Sequence, residues 1–177
     1  DPKFHVDALE ALQEATDNFQ VVWARNRDAH KKYEEVLAEK ELKRDNISYD
    51  GSGGRTWAAM LRTFGYVYLS SSGKLVLTKV GTALLNGKKV RENISKQILT
   101  LQIPNAYFLE SGFRPKYEEG FQIRPARFLI RLCNQQELDY YVTKEEITFF
   151  ALTAKKDDEL RTVTQDILKF RSSTEEE

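Results

Sequence analysis

The sequence predicts a mainly α-helical protein with one small β-hairpin, on three observations. In residues 55–65 the large apolar side chains Trp57, Met60, Leu61 and Phe64 recur at i, i+3, i+4 and i+7, one face of a helix. Directly after it, Tyr66-Val67-Tyr68-Leu69 and Lys74-Leu75-Val76-Leu77-Thr78 flank Ser70-Ser71-Ser72-Gly73, which reads as strand, tight turn, strand. Most of the remaining chain carries apolar residues at helical spacing. Helices followed by a short helix and a hairpin make the pattern of a winged helix-turn-helix, in which the third helix enters the DNA major groove and the hairpin is the wing. A second helical, helix-turn-helix-like subdomain is expected after it.

The elements follow in order. Residues 5–19 place Val6, Leu9, Leu12 and Phe19 near helical spacing, and residues 28–42 form a charged helix with Tyr33, Val36 and Leu37 on one side. Residues 46–54 hold a cluster of turn-formers, with Gly51, Gly53 and Gly54 read as a hinge before the third helix. Arg55, Thr56, Arg62, Ala58 and Ala59 lie off the apolar stripe of that helix, and Gly65 is its natural stop. Val67, Leu69, Leu75 and Leu77 share the buried face of the hairpin. Thr78 is the expected N-cap of a short helix over 79–86 closed by Gly87, with Gly81 letting it pack close to the hairpin. Val90, Ile94, Ile98 and Leu101 align on a further helix ended by Pro104. Residues 105–122 have no period and five aromatics, Tyr107, Phe108, Phe113, Tyr117 and Phe121, more suited to packing than to stacking on bases. A helix over 124–132 follows. Thr143 to Glu146 is a capping box opening a helix with Ile147, Phe150 and Ala151, and residues 158–171 close the chain with Leu160, Val163, Ile167 and Phe170 inward. The expected division is a winged-helix subdomain over 1–103, an aromatic connection over 104–122 and a second helical subdomain over 123–177.

With 41% apolar residues the chain can bury a core, which excludes a disordered tail. Cys133 is the only cysteine, so a disulfide within the chain and a cysteine zinc site are excluded, and a reducing cytoplasm is the expected location. No apolar run reaches the ~20 residues a membrane helix needs. The start at Asp1 and the trailing Ser172-Ser173-Thr174-Glu175-Glu176-Glu177 predict a fragment of a longer protein. Net charge is zero, yet its distribution is uneven: residues 51–131 hold 13 Lys/Arg against 4 Asp/Glu, while 1–50 hold 8 against 12 and 132–177 hold 6 against 11. A basic centre in a neutral protein is the composition of a phosphate-binding face.

Catalytic chemistry is hard to place. Glu41-Leu42-Lys43 has the Asp/Glu-x-Lys form of a magnesium-dependent nuclease, but it ends a charged helix and lacks an acidic partner on a preceding strand, so it reads as solvated surface. His5 and His30 are too isolated for a zinc or histidine-nuclease site and read as surface residues, and Cys133 as a core thiol. Gly51-x-Gly53-Gly54 lacks the lysine and the strand of a phosphate loop. The DNA-binding candidates are Arg55 and Thr56 at the start of the third helix and Arg62 further along it. Arginine can read guanine through two parallel hydrogen bonds. Lys74 on the wing, with Lys88, Lys89 and Arg91 after the short helix, are candidate phosphate contacts. Arg114, Lys116, Arg124 and Arg127 surround the aromatic connection and fit either role.

The run Arg55-x-Trp57-Ala58-x-Met60-Leu61, Gly65-x-Val67 and Gly73-x-Leu75-x-Leu77-Thr78-x-x-Gly81 resembles the AlwI family of type IIS restriction endonucleases and related nicking enzymes. The likeness continues through Leu85, Lys96-Gln97, Pro104, residues 128–132, Ala151-Leu152-Thr153-Ala154 and Phe170-Arg171, and spans about residues 20–171. It implies a DNA-recognition region for an asymmetric double-stranded site, built of winged-helix-like subdomains and acting as a monomer. It also implies a separate cleavage domain, absent from this chain, to which Mg²⁺ would belong; no cofactor is expected within the chain itself. Two alternatives stay open: a winged-helix transcription regulator, which would be a symmetric dimer, and a winged-helix protein-interaction module.

Overall fold

The computed structural model describes residues 1–108 and 117–174. The chain forms two compact units, Asp1–Gln97 and Ile98–Glu177, each with its own hydrophobic core. Helices dominate both, and a two-stranded antiparallel sheet stands in the first.

In the first unit, α1 (Pro2–Ala15) starts at an Asp1 N-cap whose carboxylate accepts from the Lys3 amide at 2.9 Å. It buries Ala8, Leu9, Ala11, Leu12 and Ala15. It stops four residues before the expected end. The Thr16 hydroxyl donates to the Leu12 carbonyl and accepts from the Phe19 amide, and Asp17, Asn18 and Phe19 all adopt positive φ. Phe19 still reaches the core, by a turn instead of by a helical stripe. Val22 then forms an isolated antiparallel bridge with Lys74, and the Trp23 and Ala24 amides both donate to the Gly73 carbonyl, which ties the hairpin turn to this segment.

Helix α2 (Arg27–Glu39) opens on Asn26, whose side chain accepts from the Ala29 amide, and buries Tyr33, Val36 and Leu37 as expected. It also buries His30, 4% exposed, and Glu34, 1% exposed. His30 therefore corrects the expectation of a surface residue: its Nε2 bonds the Trp23 carbonyl at 2.9 Å and its ring packs against Trp23. His5 is half-buried, hydrogen-bonded through Nδ1 to the Tyr66 hydroxyl.

Helix α3 (Ser52–Thr63) begins three residues earlier than its apolar stripe indicates. The glycines read as a hinge form its first turn, because α3 crosses α2 at backbone distance. A Cβ on Gly54 would stand 2.0 Å from the His30 carbonyl oxygen. Gly54→Ala is expected to force the helices apart and to cost about 1–3 kcal/mol, measured by urea unfolding. Ala58, expected off the stripe, is buried at 1% exposure for the same reason, facing the close crossing. Trp57 is half-buried, packed on the core from one side.

Strands β1 (Val67–Leu69) and β2 (Leu75–Leu77) pair in the register Val67↔Leu77, Tyr68↔Val76, Leu69↔Leu75. Val67 and Leu75 are buried and Tyr68 faces out. Thr78 caps α4 (Lys79–Leu85) through its hydroxyl, which accepts from the Gly81 amide and donates to the Gly65 carbonyl. A Cβ on Gly81 would lie 2.1 Å from the Tyr66 carbonyl oxygen, so the close packing read from the sequence is real. Gly87, at φ +63, ends α4, and α5 (Val90–Thr100) follows, with Ile94 buried and Ile98 exposed.

In the second unit, α6 (Pro125–Cys133), α7 (Lys144–Phe149) and α8 (Leu160–Thr174) surround Ile123, Phe128, Leu132, Leu138, Ala151, Ala154, Val163 and Ile167. Both halves of the Thr143–Glu146 capping box form. Cys133 is half-buried at the end of α6 and is not a core thiol. Phe121 packs against this core and on Tyr117, and Tyr107 packs on Phe108, as expected of packing aromatics. Phe113 lies outside the described residues. No helix among the described residues is long and apolar enough to cross a membrane.

Candidate nucleic-acid interface

The exposed side of α3 is built by residues the core does not use. Gly54, Ala58 and Leu61 face inward, which turns Ser52, Arg55 and Thr56 to solvent at its N-terminal half. Arg55 is held there. Its Nη1 donates to the Asp50 carbonyl at 2.8 Å and its Nη2 to the Asp50 carboxylate at 2.9 Å. That carboxylate also accepts from the Ser52 amide at 3.0 Å, so the loop, the helix start and the guanidinium form one assembly. The Arg55 guanidinium, with the Ser52 contact, holds the Asp50 carboxyl well below the usual range. A guanidinium has five N–H groups, so this fork leaves donors for an acceptor pair on a base or phosphate. Thr56 is exposed, with its hydroxyl turned back to the Ser52 carbonyl at 3.0 Å. Arg62 is half-buried further along the helix.

Beneath this surface lies a polar network. The Glu34 carboxylate accepts from the Ser48 amide and hydroxyl and pairs with Lys43 at 3.1 Å, where the Lys43 side chain is only 12% exposed. The Ser48 hydroxyl oxygen in turn accepts from the Gly53 amide at 3.0 Å, in the first turn of α3. Burial raises the Glu34 pKa, but the Ser48 and Lys43 contacts outweigh it and hold the carboxyl below its ordinary value. Lys43 of the Glu41-Leu42-Lys43 triplet is thus a structural ion-pair partner, which corrects its reading as solvated surface. Glu41 itself is exposed. Among the described residues no group of three or more His, Cys, Asp or Glu is gathered as metal ligands would be.

The other candidates divide. Lys74 is half-buried at the base of the hairpin turn, where its backbone bridges Val22 and its Nζ reaches the Gln20 side chain at 3.4 Å. The outermost turn residues are instead Ser71 and Ser72. Lys88 and Lys89, between α4 and α5, and Arg91, in the first turn of α5, make one exposed basic run, with Lys89 3.2 Å from Glu92. In the second unit Arg124 is clamped to Asp157 through its side chain, at 2.8 Å, and through its amide. Arg127 is exposed on α6. Arg114 and Lys116 lie outside the described residues.

Sequence reasoning missed Asp50 as the group that orients Arg55. It also missed Tyr49, 90% exposed, with the Lys31 ammonium 5.1 Å from its ring centroid. An acid five residues before a helix-start arginine was the available signal for the first. For the second there was none, since exposure is not written in a lone tyrosine.

The family model of the AlwI restriction endonuclease matches residues 62–177, about two thirds of the chain. The chain belongs to the AlwI restriction endonuclease family. Membership implies binding to DNA. In this AlwI-family chain the match begins at Arg62, so it takes in the hairpin, the 88–91 basic run and the whole second unit, while Arg55 and Thr56 precede it. A search of curated proteins finds no significant match.

Proposed function

We propose that this AlwI-family chain is the sequence-reading part of a type IIS restriction or nicking endonuclease, with its first unit acting as a winged helix. The order helix, bridge strand, helix, helix, strand, turn, strand is that of winged-helix readers, with Val22 supplying the short first strand. The single observation that carries the reading is Arg55, presented at the exposed start of the third helix and oriented by Asp50. On this reading α3 lies in the major groove, Arg55 reads a guanine, and Lys88, Lys89 and Arg91 neutralise phosphates. A single asymmetric site calls for a monomer, and the lone Cys133 suits a reducing cytoplasm. Cleavage, and the Mg²⁺ it requires, belong to a separate domain.

Selection from randomised duplexes tests this. Arg55→Ala is expected to cost about 1–3 kcal/mol at the selected site and to blur one base position, whereas Lys88→Ala weakens all sequences alike. Salt provides a second readout. With about 4–6 phosphate contacts, log K falls against log salt with a slope of about −4 to −5. The double reversal Lys88→Glu with Lys89→Glu is expected to flatten that slope by about two. The exposed Lys89–Glu92 pair does little to oppose a phosphate contact, since both side chains are more than 70% exposed. No duplex binding at low salt overturns the reading in favour of a protein-interaction module, and a symmetric selected site in favour of a dimeric regulator.

A further inference from the structure

Tyr49, at 90% exposure, is the barest large apolar or aromatic side chain among the described residues. The loop that carries it is nevertheless fixed on both sides. Before it, Ser48 donates its amide and hydroxyl to the buried Glu34 carboxylate. After it, Asp50 accepts from the Ser52 amide and from Arg55. The Gly51 amide closes the turn on the Ser48 carbonyl at 3.3 Å. The ring is thus held out by pinned neighbours. The Lys31 ammonium, from α2, stands 5.1 Å from its centroid and forms no ion pair among the described residues. Glu34 and Asp50, the acids bound to this loop, are engaged by Lys43 and Arg55. A phenol hydroxyl and an ammonium therefore stand together as donors, with no acceptor of their own among the described residues.

We propose that Tyr49 and Lys31 together hold one backbone phosphate of duplex DNA, and that this contact sets the register in which Arg55 meets its base. The inference rests on the reading of α3 as the helix that enters the major groove. In helix-turn-helix readers the start of the recognition helix meets base edges while the helix before it crosses the phosphate backbone. Lys31 lies on that preceding helix, α2. Lysine and tyrosine side chains are usual phosphate donors, and phosphate contacts fix register and orientation. The connection to Arg55 is short. Tyr49 is bonded to Asp50, whose carbonyl and carboxylate carry the Arg55 guanidinium. Gly51, next in the chain, packs on the α2 backbone: a Cβ there would stand 3.1 Å from the Arg27 carbonyl oxygen and 3.2 Å from the Lys31 nitrogen. Charge and continuity select the occupant. Two donors beside engaged carboxylates call for an anion, and continuity with a base-reading arginine makes that anion a strand phosphate and not an acidic peptide.

The test starts from the duplex selected by the wild-type protein and replaces each phosphate in turn by a methylphosphonate, which removes its charge. One replacement, within a few nucleotides of the base pair whose selection Arg55→Ala relaxes, is expected to weaken wild-type binding about tenfold, the worth of a hydrogen bond to a charged group. Tyr49→Phe keeps the ring beside Lys31 and removes only the hydroxyl. Lys31→Met keeps most of the stem and removes the charge. Each should bind the unmodified duplex more weakly and lose little more at that one phosphate, while the other phosphates matter as they do in wild type. Lys31→Met should also flatten the salt slope by about 0.9, which Tyr49→Phe should not. Wild-type affinity in Tyr49→Phe, or methylphosphonate losses that match at every position in wild type and both variants, overturns the proposal. Arg55-dependent selection would then still stand, and with it the DNA-reading function. A loss in Tyr49→Ala that Tyr49→Phe does not share assigns the ring to stacking on a base and overturns the phosphate contact as well. Failure to select any sequence removes both the contact and the function.

Discussion

Glu34→Ala is expected to destabilise the first unit by about 3–5 kcal/mol, the cost of removing one partner of a buried ion pair. Glu34 is 1% exposed, and its loss leaves the Ser48 amide and hydroxyl without their acceptor and removes the counter-charge of the Lys43 ammonium, which keeps its bonds to the Arg44 carbonyl and to Asn46. Both tryptophans, Trp23 and Trp57, lie in the first unit, so their fluorescence during urea unfolding reports this loss directly. The pH dependence has a definite sign. The folded-state carboxyl is held below the ordinary glutamate value of 4.5, so the contribution of Glu34 is fully present above that value. As pH falls below 4.5 the unfolded chain takes up the proton first and the advantage shrinks, vanishing once the folded carboxyl is also protonated. Wild type and variant should therefore converge in stability in acid. DNA affinity should fall with the substitution at neutral pH, since Ser48 also holds the Gly53 amide at the start of α3. Unchanged stability at neutral pH would mean that water replaces the Glu34 carboxylate at no cost.

Arg171→Met is expected to cost the second unit a similar amount, about 3–5 kcal/mol, although the apolar volume is largely kept. Arg171 donates from Nε and Nη2 to the two oxygens of Glu146, from Nη1 to the Leu138 carbonyl and from Nη2 to the Tyr141 carbonyl. Its guanidinium also stands 4.4 Å from the centroid of the Tyr141 ring. One side chain on α8 therefore joins α7 to the turn that follows Leu138. Without it the Glu146 carboxylate is left at 2% residue exposure with only the Thr143 amide as a partner. A thermal melt followed by circular dichroism measures the effect. Arg171→Lys should recover only part of it, because an ammonium cannot make the paired contacts of the planar fork. The double variant Arg171→Met with Glu146→Gln should be more stable than Arg171→Met alone, which separates the stranded charge from lost packing. A double variant no more stable than the single one would attribute the loss to packing.

Much of this architecture was legible because helical stripes and caps act over three or four residues. Thr78 with Gly81, and Thr143 with Glu146, carry their own hydrogen-bonding logic within one turn, and both form as read. The hairpin register follows from the alternation of Val67 and Leu69 with Leu75 and Leu77 around a turn that Gly73 closes at φ +77. The basic centre of the chain is likewise a property of sequence. The candidate interface was only half legible. Arg55 and Thr56 were located by helical phase, whereas the Asp50 fork depends on a loop conformation that composition does not specify.

What the sequence determined by itself is a mainly helical chain with one hairpin, its order of elements, and its family. The tertiary structure alone decided that Gly53 and Gly54 begin a helix instead of forming a hinge, that His30 and Glu34 are interior, and that Lys43 is a structural cation. The physical reason is range. A stripe or a cap is settled by neighbours on the same turn, but the state of a polar side chain is settled by its partner. Here Glu34 finds Ser48 14 residues away, and Glu146 finds Arg171 at a separation of 25. A charged residue in the sequence reads as solvated until packing supplies the partner that lets it be buried.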